Sequence, residues 1–371
     1  MAEKFTASQV DFYIFTGETS GDDRGFEVLQ QIKQRQPLAR IHGVPGPKLR
    51  TLGVDHTIRM ESFQVMGFID VIKSLPKLYS LFHRVKKEIL NLNPKAVLFV
   101  DYPGFNIRMA KALRKEGYTG KLIQYVCPTV WAWKKGRIPI MEENLDMLLT
   151  LLPFEPELFN TKKLEAYYVG HPLVENERSE ETEWCPPHKT PFLSIFPGSR
   201  EVEIMRNLPL QFAVAQETRL PIVVSCSHEK FLSLIKQITR EEVPIIPPED
   251  TDNLLRRSTF AIATSGTICL QLALHNVPTV CNYAIRPLDQ FIATKVFNIN
   301  LPYYCIVNIL AGKEIFPEFY GSNLTFQSLL AGVNKIIDGS HACDTRQLKD
   351  ILGSKKASEE ATQHILSCVH S

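Results

Sequence analysis

The sequence predicts an α/β protein built from two doubly wound parallel sheets that face a central cleft. Three observations carry that reading. Short apolar runs alternate with helical patterns along most of the 371 residues, as in βαβ units. Several of these runs end in Gly- or Ser/Thr-rich turns that open straight into helices. The alternation also breaks once, between Leu173 and Pro191, and then resumes. There Glu175-Asn176-Glu177-Arg178-Ser179-Glu180-Glu181 and Cys185-Pro186-Pro187 read as a linker. A chain of this length is comfortable for two domains, expected at 1–174 and 190–340, with a helical tail over 341–371.

In the first block, Phe12–Thr16 is a buried strand that ends in Gly17-Glu18-Thr19-Ser20-Gly21-Asp22. A helix follows over Gly25–Lys33, with Phe26, Leu29 and Ile32 on one face. Ile41–Val44 is the second strand, closed by Pro45-Gly46-Pro47. Lys95–Val100 is the third and runs into Asp101, with a helix over Ile107–Lys115. Lys121–Val126 and Met147–Leu152 are further strands, with Trp131-Ala132-Trp133 in the loop between them. The second block has strands at 192–196, Pro221–Ser225, Phe260–Thr264 and Thr279–Tyr283, the last of them final in this reading. Helices are expected from Glu201, over Glu229–Ile238 and over Cys269–His275. From Gly332 onward the pattern is helical and polar.

Composition narrows the function. A hydrophobic content of 44% against 22% charged residues suits a globular protein with full cores. A net charge of +2 gives no global case for nucleic acid, so anion binding must be local. Eight cysteines without a CxxC pair indicate neither a zinc knuckle nor a redox motif, and fit reduced thiols in a cytoplasm. MAEKFTASQVDF lacks the pattern of a secretory leader, and no apolar stretch reaches the roughly 18 residues of a membrane span.

The strongest chemical signal is Phe192–Asn207, FLSIFPGSREVEIMRN: strand, Gly198 turn, helix start. Backbone N–H groups at Ser199 and the helix dipole favour an anion there, and Arg200 adds a planar fork of donors suited to phosphate. The bland reading is a helix cap beside a surface arginine. Ser265-Gly266-Thr267 repeats the arrangement after the Phe260–Thr264 strand, as a second phosphate-receptive start or a plain N-cap. Gln271 lies one turn on, within reach of a nucleotide sugar. Asp101, in Asp101-Tyr102-Pro103-Gly104-Phe105-Asn106, is either a general base at a rigid strand end or a loop-capping carboxylate. Glu18 and Asp22 form a second acidic pair, or cap the helix that follows. Asp250-Thr251-Asp252 resembles a metal–diphosphate motif, but Asp252 is a natural N-cap for Leu254-Leu255 and no third carboxylate is near. His171 reads as a turn histidine, and Cys226-Ser227-His228 is too sparse for a metal. Phe63–Ile72, FQVMGFIDVI, is a core helix or an exposed lipid-facing patch. Lys73, Lys77, His83, Arg84, Lys86 and Lys87 after it form a basic face.

Taken together, these motifs resemble the lipid-A-disaccharide synthase family. The first block contributes Gly17–Asp22, Val65-Met66-Gly67, Asp101–Asn106, Pro128-Thr129-Val130-Trp131-Ala132-Trp133, Leu152-Pro153-Phe154-Glu155 and Val169-Gly170-His171-Pro172. The second contributes Pro197–Arg200, Ser265–Thr267, Asn308-Ile309-Leu310-Ala311-Gly312 and Pro317-Glu318, all in order from about residue 12 to about 340. The resemblance implies a GT-B glycosyltransferase with two Rossmann-like domains, acceptor side first and UDP-sugar side second. The tail would pack on the N-terminal domain or on a partner subunit, and a homodimer is one assembly it allows. It implies inverting transfer from UDP-2,3-diacylglucosamine to 2,3-diacylglucosamine 1-phosphate, without metal or cofactor, peripherally at the inner face of a Gram-negative cytoplasmic membrane.

Carried over by position, Asp101 and Glu18 are catalytic. Gly198, Ser199, Arg200, Ser265, Gly266, Thr267, Gln271, Asn308 and Glu318 hold the nucleotide. Ser20, Gly21, Asp22, Asn106, Met66, Phe68 and Ile69 meet the acceptor or lipid. One departure stands out: the family usually has Glu at the position of Gln271. Two other readings stay open, a UDP-sugar 2-epimerase-like enzyme on soluble substrates and a catalytically weak nucleotide- or lipid-binding relative.

Overall fold

The computed structural model describes residues 10–63, 68–175, 184–189, 191–286, 290 and 299–370. It divides into two compact units, Met1–Glu175 with Ser354–Ser371, and Asn176–Gly353.

The first unit runs β1 (Phe12–Thr16), α1 (Thr19–Arg35), β2 (Ile41–Val44), α2 (Pro47–Thr51), α3 (Phe68–Leu92), β3 (Ala96–Val100) and α4 (Pro103–Lys115). It continues with β4 (Lys121–Tyr125), α5 (Arg137–Asn144), β5 (Met147–Thr150), β6 (Glu165–Tyr168) and α6 (Pro172–Glu175). Its sheet has the order β2-β1-β3-β4-β5-β6, every pair parallel. Strand β1 is buried on both sides, which is why it reads as an unbroken apolar run. Tyr13 and Phe15 enter one core with Val85, Phe99 and Met109. Phe12 and Ile14 enter the other, with Leu29, Ile32 and Tyr125.

The second unit runs β7 (Leu193–Phe196), α7 (Glu201–Glu217), β8 (Ile222–Ser225), α8 (Leu232–Thr239), β9 (Ile245–Ile246), α9 (Thr251–Arg257) and β10 (Phe260–Thr264). After these come α10 (Thr267–Leu274), β11 (Thr279–Tyr283), α11 (Ile306–Ala311), β12 (Glu318–Tyr320), α12 (Phe326–Ile337) and α13 (Arg346–Leu352). Its sheet is also wholly parallel, ordered β12-β11-β10-β7-β8-β9. The last helix, α14 (Ala357–His370), belongs to the first unit, where Ala361, Ile365 and Cys368 join the core beside α1. Thr362 Oγ1 donates to the Val28 carbonyl at 3.3 Å.

Three strands were not anticipated: β6, β9 and β12. All lie at sheet edges and are only partly buried, so they lack the apolar run that marks a central strand. Thr279–Tyr283 is therefore not the final strand. The segment expected as one helix over Glu229–Ile238 is a 3₁₀ turn, Glu229–Phe231, followed by α8.

Topology positions the sites. In the first sheet the winding direction reverses between β1 and β3, and in the second between β7 and β10. Loops leaving such neighbouring strands splay apart and open a crevice at the strand C-termini, where ligands of open α/β sheets bind. The loops concerned carry Glu18 and Asp101 in one unit, and Gly198–Arg200 and Ser265–Gly266 in the other.

Candidate active site

In the second unit, the β7–α7 and β10–α10 turns frame a cavity of about 400 Å³. Gly198, Ser199, Arg200, Ser265, Gly266, Thr267 and Gln271 line it, joined by Glu203, Ser225, Ser227 and Thr251. Gly198 has φ +114, so the chain turns there in a way that L side chains rarely adopt. Glu203 organises the turn: it accepts from Ser199 N at 3.0 Å and pairs with Arg200 at 3.1 Å. The Arg200 side chain remains 79% exposed and able to reach a ligand.

A buried polar network supports the floor. Gln211 Nε2 donates to Thr264 Oγ1 at 3.1 Å and to Asn282 Oδ1 at 2.8 Å, and Asn282 Nδ2 donates to Asn207 Oδ1 at 2.9 Å. It ties α7 to β10 and β11, and sequence reading missed it, since its members are up to 75 residues apart.

Asn308 and Glu318 do not line this cavity. Asn308 is fully buried; its Oδ1 accepts from Ile315 N at 2.8 Å and Phe316 N at 2.9 Å, and its Nδ2 donates to Glu318 Oε2 at 3.0 Å. Glu318 also accepts from Tyr304 N at 3.0 Å and Cys305 N at 2.8 Å, and burial pushes its carboxyl above the usual range. Glu318 lines a separate 310 Å³ cavity with Tyr304 and Tyr320. Tyr320, in the wall of this cavity, donates from Oη to Ser265 Oγ in the wall of the first at 3.4 Å. Asp250 stands at the cap position of α9 with Asp252 inside its first turn, so the expected cap lies two residues earlier. Beneath α10, Cys269, Cys281 and Cys305 place their Sγ atoms within 4.8 Å of one another, all buried. Three thiols so gathered could hold a soft cation, and among the described residues no other such group occurs. Their spacing of 12 and 24 residues hid them from motif reading.

In the first unit Asp101 ends β3 with φ 54, and Tyr102 follows with φ 43. Two successive non-glycine residues in the left-handed region are costly and persist only where surroundings hold them. Here the Asp101 carbonyl accepts from Asn106 Nδ2 and from Gln124 Nε2 at 3.0 Å. On its side chain, Oδ2 takes both the Ser20 hydroxyl, at 3.1 Å, and the Arg24 guanidinium. Oδ1 takes no hydrogen bond among the described residues, which leaves it available as a proton acceptor. Gly21 allows α1 to approach: a Cβ there would sit 3.3 Å from the Val100 carbonyl.

Asn106 is thus fully buried beneath Asp101, acting on its backbone. Asp22 is also buried; it accepts from Lys48 N at 2.8 Å and Leu49 N at 3.2 Å, capping α2 rather than the helix it belongs to. Glu18 is exposed and lines a cavity of about 1010 Å³ with Leu78, Tyr79, Phe82, Tyr102 and Phe105. Burial, with the Glu18 charge adding to it, raises the Tyr102 phenol above its usual range. Phe63 belongs to the core, edge-on to Phe15 and Phe105. Met66 lies outside the described residues, while Phe68 and Ile69 open α3. Of the basic face, Lys86 pairs with Glu116 at 2.6 Å. His171 is buried, accepts from Leu173 N at 3.2 Å, and is pushed down to about 4 by burial and by the Arg24 charge.

Residues 12–367 match the family model described as lipid-A-disaccharide synthetase. The chain belongs to that family. A curated relative from Chlamydia trachomatis serovar D, lipid-A-disaccharide synthase, is 38% identical over 85% of this chain and 54% of its own length. One of the same name from Idiomarina loihiensis is 32% identical over 88% of this chain and 89% of its own. The chain spans about half the length of the chlamydial family members it matches. Among solved structures, the S. aureus MnaA–UDP co-structure aligns with a TM-score of 0.65 and 13% identity, over 97% of this chain and 98% of that one. CalG4, the calicheamicin glycosyltransferase, aligns at 0.58 and 13%, over 98% and 99%. These likenesses show the fold alone: two parallel α/β units of the GT-B class.

Proposed function

We propose that the chain is an inverting glycosyltransferase that condenses UDP-2,3-diacylglucosamine with 2,3-diacylglucosamine 1-phosphate, giving the β-1,6 disaccharide 1-phosphate and UDP. The observation that carries this reading is the Asp101 site: a strained carboxylate with one oxygen anchored and one available, beside an apolar cavity, in a family member whose second unit carries a two-turn anion cradle.

The acceptor 6-hydroxyl gives its proton to Asp101 Oδ1 as its oxygen bonds the donor's anomeric carbon. The bond from that carbon to the UDP oxygen breaks on the opposite face, and UDP leaves with the electron pair. Arg200 and the N–H groups at Ser199 and Ser265–Thr267 meet the charge that develops on the diphosphate. Gln271 reaches the ribose. Arg24 and Ser20 hold Asp101 in aim, and Asn106 and Gln124 hold its backbone, as positioning residues. Family membership and the aromatic cavity both favour this reading over an epimerase on soluble sugars. Because both substrates carry acyl chains, the protein is proposed to work peripherally at the inner face of the cytoplasmic membrane; no described helix is long and apolar enough to cross it.

The test is turnover with both acylated substrates in detergent, following UDP release and disaccharide mass, for the wild type and Asp101→Asn. Disaccharide from the wild type with a loss of about a hundredfold or more in the variant supports the assignment. Equal rates remove Asp101 from the base role, and UDP binding without product favours a catalytically weak relative.

A further inference from the structure

The 1010 Å³ cavity of the first unit has a second character. Its wall of Leu78, Tyr79, Phe82 and Phe105 is apolar, but Arg108 from α4, Lys134 and Arg137 line it too. Three cations face a single carboxylate, Glu18, and none of the three forms an ion pair among the described residues. Lys134 Nζ sits 3.9 Å above the Trp133 ring and Arg137 approaches the same ring at 6.0 Å, so one indole gathers two of the charges. Lys134 is held in the left-handed region, φ 55, by a turn in which its carbonyl accepts from Arg137 N at 2.9 Å.

Like charges crowded into a cavity oppose one another. Burial pushes both Lys134 and Arg137 below their usual ranges, helped by the neighbouring guanidinium groups, Arg137 and then Arg108 for Lys134 and Arg108 for Arg137. An anion placed among them relieves that repulsion. A purely membrane-facing cluster would gain nothing from a half-buried arginine inside a cavity, whereas a ligand headgroup would. The apolar wall, with Tyr79 68% exposed in it, calls for hydrocarbon on the same ligand. The volume exceeds what a lone sugar fills.

We propose that Arg108, Lys134 and Arg137 form a phosphate subsite that reads the anomeric phosphate of the acceptor while Leu78, Tyr79, Phe82 and Phe105 take an acyl chain. This rests on the glycosyl-transfer reading above and adds its specificity element: the enzyme selects the phosphorylated monosaccharide over the same diacylglucosamine without phosphate. A bidentate guanidinium suits a terminal phosphate better than an ammonium, and two of the three groups are arginines.

The experiment compares kcat/KM for the two acceptors in wild type and in Arg108→Gln/Arg137→Gln. We expect the wild type to prefer the phosphorylated acceptor by about a hundredfold, and the variant to lose at least tenfold of that preference with the donor KM unmoved. An equal loss on both acceptors, or no wild-type preference, overturns the subsite. A binding arm titrates short-chain diacylglucosamine 1-phosphate in detergent against tryptophan fluorescence, with inorganic phosphate as a second titrant. If the wild type turns over neither acceptor but binds the phosphorylated lipid, and the variant binds it tenfold more weakly, glycosyl transfer fails and the subsite stands. Flotation with phosphatidylglycerol and phosphatidylcholine vesicles separates the bilayer source. Loss of anionic-vesicle binding with acceptor preference intact overturns the proposal.

Discussion

Replacing Gly198 with alanine tests the anion cradle at its tightest point. The residue has φ +114, and a Cβ built there lies 2.7 Å from Glu203 Cβ and 2.8 Å from Glu203 Oε2. Forcing an L side chain into that backbone costs about 1–3 kcal/mol. Glu203 must also withdraw, losing its acceptance of Ser199 N, worth about 1 kcal/mol net. The sum is about 2–4 kcal/mol. In a unit of this size each kcal/mol moves the midpoint about 2–4 °C, so thermal unfolding of the second unit should shift down by roughly 4–16 °C. The Ser199 amide and Arg200 both lean on Glu203, so UDP affinity by calorimetry should fall at least about tenfold. Gly104→Ala is the control: nothing lies within 4 Å of its Cβ and it sits in the first turn of α4, so stability should hold or rise slightly. If Gly198→Ala leaves both midpoint and UDP affinity where the control does, the glycine is an ordinary loop residue and the turn does not cradle an anion.

Glu155, buried behind Trp131, has its carboxyl raised from 4.5 to about 7, chiefly by burial. The native state keeps a proton that the unfolded chain releases above pH 4.5, so this contribution is full below that value and is lost as pH rises through 7. The span corresponds to about 3 kcal/mol. Urea midpoints of the wild type should fall between pH 5 and pH 8, and Glu155→Gln should flatten that slope; an unchanged slope would point to another group. Gln271→Glu should tighten UDP binding about three- to tenfold, because a carboxylate accepts from both ribose hydroxyls, and weaker binding would place the ribose elsewhere. Asn106→Leu removes a donor to the Asp101 carbonyl and should lower kcat about tenfold with the donor KM unmoved, whereas a rise in KM alone would make Asn106 a binding residue.

What was legible in the chain followed burial. Strands β1, β10 and β11 stand where their apolar runs place them, since a strand covered on both faces needs no polar alternation. The edge strands escaped because their side chains are mostly only partly buried and form no apolar run. The strand–turn–helix pattern likewise disclosed both helix openings that line the second unit's cavity, and local capping chemistry can be read at a distance of three or four residues. Asp22 shows the limit of that rule: its carboxylate does cap a helix, but a neighbouring one that begins 25 residues later on the same face of the sheet.

The site itself depends on which strands are neighbours, and that is a property no local pattern encodes. Gly17 and Asp101 lie 84 residues apart, yet β1 pairs with β3 in register from Phe12–Ala96 to Thr16–Val100, so the residues that follow come off one crevice. The same logic joins Ser199 to Ser265 through the pairing of β7 with β10. Once those registers are known, Arg24 and Ser20 reach Asp101 from the first turns of α1 without further adjustment. The side chains that motif reading left out, Arg24, Gln124, Asn207, Gln211 and Asn282, all act across such pairings. Each is polar, at least partly buried and bonded to a partner on another element. In a sequence they look like interruptions of an apolar face; in the fold each holds the loops of its own unit in place.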